Sequence, residues 1–282
     1  MKQHNAQSGQ VVLITLLVLT IATTVALSLI SRTTTDTTIT AQIEESSRAF
    51  SAAEAGIEEA LKNGVGTSGP QVLTPGVSYN VNVASIGNAA GVYEFSKKTL
   101  KGATETVWLV GHNQVTGMID EADPNRYQAP TIDICWSSET TTPALVVTVL
   151  YKESSNNSYQ IAKAAFDPDA ARSATNQFTQ AYLPGGCGGT TVYKETITFN
   201  TLNASINPAS DTLIALRVRP LYSDATIAVD AGSSVLPLQG NRIESTGFTT
   251  TGTNRKIVVY QQYRAASTVF DAALYSQGTL RP

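Results

Sequence analysis

The run Val11–Ile30 (VVLITLLVLTIATTVALSLI) constrains this chain more than any other stretch, because its 20 residues contain no charge, no proline and no glycine. That is the length a hydrocarbon core demands of a spanning α-helix. The helical pattern then continues. Ile43, Phe50 and Ile57 recur every seven residues, with Ile39, Ala53 and Ala60 on a neighbouring line, while Glu44, Glu45, Arg48, Glu58 and Glu59 fall elsewhere. This spacing predicts an amphipathic second half that docks on a folded domain through Ile39, Ile43, Phe50 and Ile57. No proline interrupts the chain from Gly9 to Gly69, and Gly64 offers a left-handed cap just after Lys62. A helix from Gly9 to Leu61 would be a rod roughly 80 Å long, too long for one globular core.

The weakest part of this rod is Thr33-Thr34-Thr35-Asp36-Thr37-Thr38, where β-branched side chains lose rotamer freedom. Two behaviours are open to it: local loosening on leaving a bilayer, or a continuous helix whose hydroxyls bond back to the preceding turn.

Past the Gly- and Pro-rich segment 64–75 the period changes. Val77–Val83, Thr104–Val110, Thr131–Trp136, Ala144–Tyr151, Thr191–Phe199, Thr212–Val218, Thr226–Val229 and Lys256–Tyr263 are short, rich in β-branched residues and bounded by turn formers. They predict an antiparallel, β-sandwich-like domain. One short helix is expected at Asp169–Gln177, after Pro168. The fold class is therefore α+β, a long N-terminal helix with a membrane half and an amphipathic half, followed by a mainly antiparallel β-sandwich-like domain. The apolar closing segment 269–278 is expected to dock on the sheet or the rod.

Composition excludes several functions. The net charge is −3 and lysines and arginines nowhere cluster, so a nucleic-acid surface is not expected. His112 is the one histidine beyond residue 4, and Gly111-His112-Asn113 reads as a solvent-facing turn without a nucleophile elbow nearby, so no hydrolase and no enzyme is expected. No His/Cys spacing suits zinc and no cofactor is implied. Asp120, Asp123, Asp167 and Asp169 are weak calcium candidates that lack EF-hand spacing and read more simply as acidic turns beside Pro124 and Pro168. Cys135 and Cys187 either form a disulfide, or Cys135 is a small buried residue in an apolar strand. The Gly-rich stretch 184–189 lacks the Lys-Ser/Thr of a phosphate loop and reads as a hairpin connection. Trp108, Trp136, Tyr127 and Tyr182 are candidates for a glycan platform, with burial the expected place for the two tryptophans.

Two further stretches carry a family likeness. The polar residues 1–9 end in Ser8-Gly9, immediately ahead of the apolar run, and Arg48–Glu58 reads RAFSAAEAGIE. The first resembles the leader and retained helix of type IV prepilins. The second is similar to the Ala-Phe-x-Ala-Ala-Glu-Ala-Gly stretch of PilX-like minor pilins. The likeness covers about the first 62 residues. It implies cleavage after Gly9 and N-methylation of Gln10 by a prepilin peptidase, and a division into leader 1–9, membrane or filament-core helix 10–30, amphipathic continuation 31–63, linker 64–75 and outer β-rich domain 76–282. It further implies a single-pass protein of the bacterial inner membrane with its C-terminal domain outside, held in lipid until an assembly platform adds it to other pilin or pseudopilin subunits in a cell-surface filament. Where pilins carry a glutamate at the fifth mature position this chain has Ile14, a departure shared with some minor and tip subunits. The competing expectation is an anchored β-sandwich module for adhesion or carbohydrate binding that never polymerises.

Overall fold

A computed structural model describes residues 8–113, 116–137, 139–181, 185–202 and 205–267. Residues 1–7 of the leader, Tyr182 and the closing segment 269–278 lie outside them. The chain is α+β: helix α1 (Ser8–Asn63) comes first, and strands dominate thereafter. In order these are β1 (Gln71–Thr74), β2 (Val77–Gly87), β3 (Ala90–Glu94), β4 (Glu105–Trp108), β5 (Gly111–His112), β6 (Ile119–Asp120), β7 (Thr131–Ser137), β8 (Ala144–Glu153) and β9 (Ser158–Asp167). A short helix α2 (Ala170–Asn176) precedes β10 (Thr179–Gln180), β11 (Thr191–Thr198), β12 (Thr212–Leu221), β13 (Ile227–Val235), β14 (Leu238–Thr249) and β15 (Asn254–Gln262).

Two compact units emerge, one of residues 1–83 and 243–259, the other of 84–242 and 260–282. In the first, α1 packs on a sheet ordered β1-β2-β14-β15. The segment 64–75, expected as a linker, contains β1. Pro75-Gly76 closes a tight hairpin that pairs Thr74 with Val77, and Gly76 supplies the positive φ of 80° that the third position of such a Pro-Gly turn requires.

The second unit is a sandwich of a five-stranded sheet, β10-β9-β8-β12-β4, and a four-stranded sheet, β11-β7-β13-β3. The β10–β9 pairing is parallel, whereas the other registered pairs are antiparallel. Alternation builds the core. Leu145, Val147, Val149 and Tyr151 of β8 meet Ile132, Ile134 and Trp136 of β7 in one apolar cluster. Trp136 is fully buried, and its indole N–H donates to Pro143 O at 3.0 Å. Tyr127 is also buried, its hydroxyl donating to Thr131 O.

The α2 region shows how local chemistry fixes an element. Asp169 caps the helix by accepting from the Ala171 and Arg172 N–H groups, and Gln177 ends it in the left-handed conformation. Beside it the Asp167 carboxylate is wholly buried and receives Arg172 Nε and Nη2, each at 2.7 Å, plus Asn176 Nδ2 at 2.8 Å. Burial alone would raise the Asp167 pKa, but the hydrogen bonds from Arg172, the Asp169 N–H and Asn176 together hold it below its ordinary value. A depressed carboxylate stabilises the fold above its unfolded pKa, about 4, and that contribution is lost as the pH falls through the folded value. Asp167→Asn, which leaves Arg172 short of its partner, is expected to lower stability by about 3 kcal/mol at pH 7. It should also flatten the acid limb of a plot of melting temperature against pH, which thermal denaturation between pH 3 and 7 measures.

Candidate functional site

The feature with the clearest functional content is α1. From Val11 to Ile30 every valine, leucine and isoleucine is more than half exposed, from 52% at Ile14 to 68% at Leu13. No residue of the most apolar window is buried inside the protein. A helix this apolar and this bare is long enough to cross a membrane. Exposed valines, leucines and isoleucines in such a row need lipid or other apolar helices to cover them. Gly9 and Gln10 lie in its first turn.

The threonine-rich portion is helical throughout. Thr33, Thr34, Thr35, Thr37, Thr38 and Thr40 each donate a hydroxyl hydrogen bond to the carbonyl four residues earlier, at 2.8–3.0 Å. Thr15 and Thr23 do the same within the apolar half, and Thr20 and Thr24 bond three residues back. These bonds satisfy hydroxyls that would otherwise meet a hydrocarbon surroundings unpaired, so threonine is compatible with a spanning segment.

The second half of α1 docks, but of the expected Ile39, Ile43, Phe50 and Ile57 only Ile57 takes part. Ile57 is buried, whereas Phe50 is 46% exposed, Ile39 49% and Ile43 64%. The buried stripe is instead Ala49, Ala52, Ala53, Gly56, Ile57 and Ala60, a run at helical spacing. The reason is backbone proximity. A Cβ on Gly56 would lie 2.8 Å from Val81 Cγ2 and 2.9 Å from Tyr79 Cδ2, and one on Gly247 of β14 would lie 2.6 Å from Ala53 N and 3.0 Å from Ala52 Cβ. Only small residues permit that approach, so the large apolar side chains are displaced to one edge of the stripe. The small residues of the RAFSAAEAGIE stretch therefore form the docking face, while its Phe50 and Glu54 stay exposed. Ile57, Ala60, Val81 and Ile243 make the small core beneath. Polar bonds border it: the Tyr79 hydroxyl donates to Glu59 Oε2, Thr251 to Glu45 Oε2, and Arg255 Nε to Ser46 Oγ. Gly247→Val is expected to lower stability by about 3 kcal/mol, through overpacking. Hydrogen exchange over residues 49–60 should accelerate with it, while Phe50→Ala leaves both unchanged.

Cys135 and Cys187 are joined by a disulfide across 52 residues. It ties the Gly-rich loop to β7, where Cys135 is fully buried; the strands flanking that loop, β10 and β11, belong to different sheets, so it is not the hairpin connection expected.

The remaining polar candidates are occupied by structural tasks. Asp120 accepts from the Ala122 N–H and Asp123 from the Asn125 N–H, both turn bonds. With Asp167 engaged by Arg172 and Asp169 capping α2, none of the four calcium candidates stands in a cluster. Among the described residues no group of three His, Cys, Asp or Glu side chains is placed to hold a metal ion. His112 is not the solvent-facing turn residue expected. It lies in β5 with its ring stacked on Tyr263 at 3.9 Å and edge-on to Trp108 at 4.6 Å. Burial lowers its pKa, which keeps the imidazole neutral near pH 7. Trp108 is itself 9% exposed, part of a second apolar cluster with Val110 and Ile214. Comparison with protein-family models, with curated proteins and with solved structures finds no match to this chain.

Proposed function

We propose that this chain is a pilin-like structural subunit, a minor or tip component of a type IV pilus or related bacterial filament. The observation that carries the reading is a single unbroken helix whose apolar first half is bare while its second half is docked through a small-residue stripe. In this reading the leader is cut after Gly9 by a prepilin peptidase and Gln10 becomes the N-methylated first residue. Val11–Ile30 holds the subunit in the inner membrane with the β-rich units outside. An assembly platform then moves the helix from lipid into the filament core, where helices of neighbouring pilin or pseudopilin subunits cover it. The hydroxyl-to-carbonyl bonds of the threonines favour passage of the helix as one rod. Ile14 in place of a glutamate favours a tip or initiating position over ordinary stacking. The disulfide supports an oxidising compartment for the β region.

The test is fractionation. Filaments sheared from cells and purified should contain this chain as a substoichiometric component by mass spectrometry. Its confinement to the membrane fraction of filament-bearing cells would favour the other reading, an anchored binding module that does not polymerise.

A further inference from the structure

The sandwich unit contains a polar cleft of about 360 Å³ that the helix-centred function does not use. Its chemistry-bearing walls are Tyr93, Glu105, Trp108, Gln262 and Tyr263. We propose that this cleft binds a neutral saccharide, with Glu105, Gln262 and the Tyr263 hydroxyl reading hydroxyl groups and the edges of the three aromatic rings framing the site. The proposal stands whether or not the chain enters a filament.

Four observations carry it. The first is an underused carboxylate. Glu105 is half-buried, and the one hydrogen bond it receives among the described residues, from Thr99 Oγ1, is long at 3.5 Å. Desolvation raises its pKa, as expected for a carboxylate that needs further donors. The second is a set of complementary groups. Gln262 Nε2 donates to the Tyr93 hydroxyl at 3.2 Å, which fixes the amide and leaves its oxygen as an acceptor. Among the described residues neither the Trp108 indole N–H nor the Tyr263 hydroxyl bonds to another protein group, and both are open to a ligand or water. A polyhydroxylated ring offers donors and acceptors together and can satisfy all of these.

The third is rigidity. Trp108 is pinned through its backbone, because buried Gln239 accepts from its N–H at 2.7 Å and donates to its carbonyl at 2.8 Å. Tyr263 is held by the stacked His112 ring. Aromatic groups fixed before binding lose little entropy when a ligand arrives. The fourth is charge. Buried Arg217 donates to Thr106 Oγ1 and to Ser267 O, both cleft-lining residues, so a cation stands beside the cleft as well as the Glu105 carboxylate. That balance disfavours an ammonium ligand, which three aromatic rings and a lone carboxylate would otherwise suit.

The experiment uses the full chain in a detergent without a sugar headgroup. Tryptophan fluorescence and its quenching by acrylamide are followed while maltose, lactose, N,N′-diacetylchitobiose or tetramethylammonium is added. Trp136 is sealed in the core, so Trp108 supplies the response. The expected result is saturable protection by at least one disaccharide with Kd below about 10 mM. Glu105→Gln and Gln262→Ala should each weaken it about tenfold. Gln262 is exposed, so its variant keeps the comparison informative if Glu105→Gln folds poorly. No disaccharide response up to about 50 mM overturns the proposal. So does saturation by tetramethylammonium instead, or a disaccharide affinity that Gln262→Ala leaves unchanged.

Discussion

Arginine at both Leu19 and Thr23 is expected to move this protein out of the membrane fraction. The two positions lie near the middle of Val11–Ile30, four residues apart on one helix face. Each central arginine costs roughly 2.5–3.5 kcal/mol of insertion free energy, so the pair removes about 5–7 kcal/mol. Both sites lie in the most apolar window of α1, no residue of which is buried. The β-rich units should therefore keep their fold, read as an unchanged near-ultraviolet circular dichroism spectrum, while carbonate extraction of membranes releases the chain. Retention in the extracted membrane would show that another element anchors it.

Loss of the disulfide is the next largest effect. Closing a 52-residue loop restricts the unfolded chain, and chain-entropy arithmetic for that length gives about 4 kcal/mol. Cys135→Ala combined with Cys187→Ala should therefore lower the denaturant midpoint of the sandwich unit strongly, and the loop at 185–190 should become the first protease-sensitive site. Addition of a thiol reductant under mild denaturant should reproduce both changes in the unaltered protein. A double variant with an unchanged midpoint would mean that the loop is held by β11 pairing with β7 alone.

Much of the architecture was legible in the residues, and the exceptions share a cause. Strands such as β7, β8 and β12 announce themselves through β-branched residues with a buried face. β9 and β14 do not. β9 carries three alanines and a lysine where branched residues would signal a strand, and β14 is broken in sequence by Gly240, Gly247, Arg242 and Glu244. Gly247 weakens the strand signal because it makes room for α1, so the residue that hides β14 is also what brings the helix close. The same geometry explains the displaced docking face. Large apolar residues every seven positions dominate a hydrophobicity pattern, but close helix–sheet contact selects alanine and glycine, whose signal is spacing rather than size. The RAFSAAEAGIE stretch already displayed that spacing.

The polar sites were harder to read. Glu105 and Gln262 are far apart in sequence and meet only because β4 and the end of β15 border one cleft, a relation no local motif records. His112 looked like a turn residue because the sequence does not show that Tyr263, some 150 positions later, stacks on it. Asp169 was visible as a helix start, yet the pairing of Asp167 with Arg172 depends on the bend at Pro168 that turns the carboxylate back on the new helix.

The central claim is that the apolar half of α1 remains on the mature protein and serves as its anchor before assembly. Intact-mass and N-terminal peptide analysis of the chain purified from its native membrane tests this most directly. A first residue of N-methylated Gln10, with Val11–Ile30 retained, is the predicted result. A mature chain that begins downstream of Ile30 would contradict it.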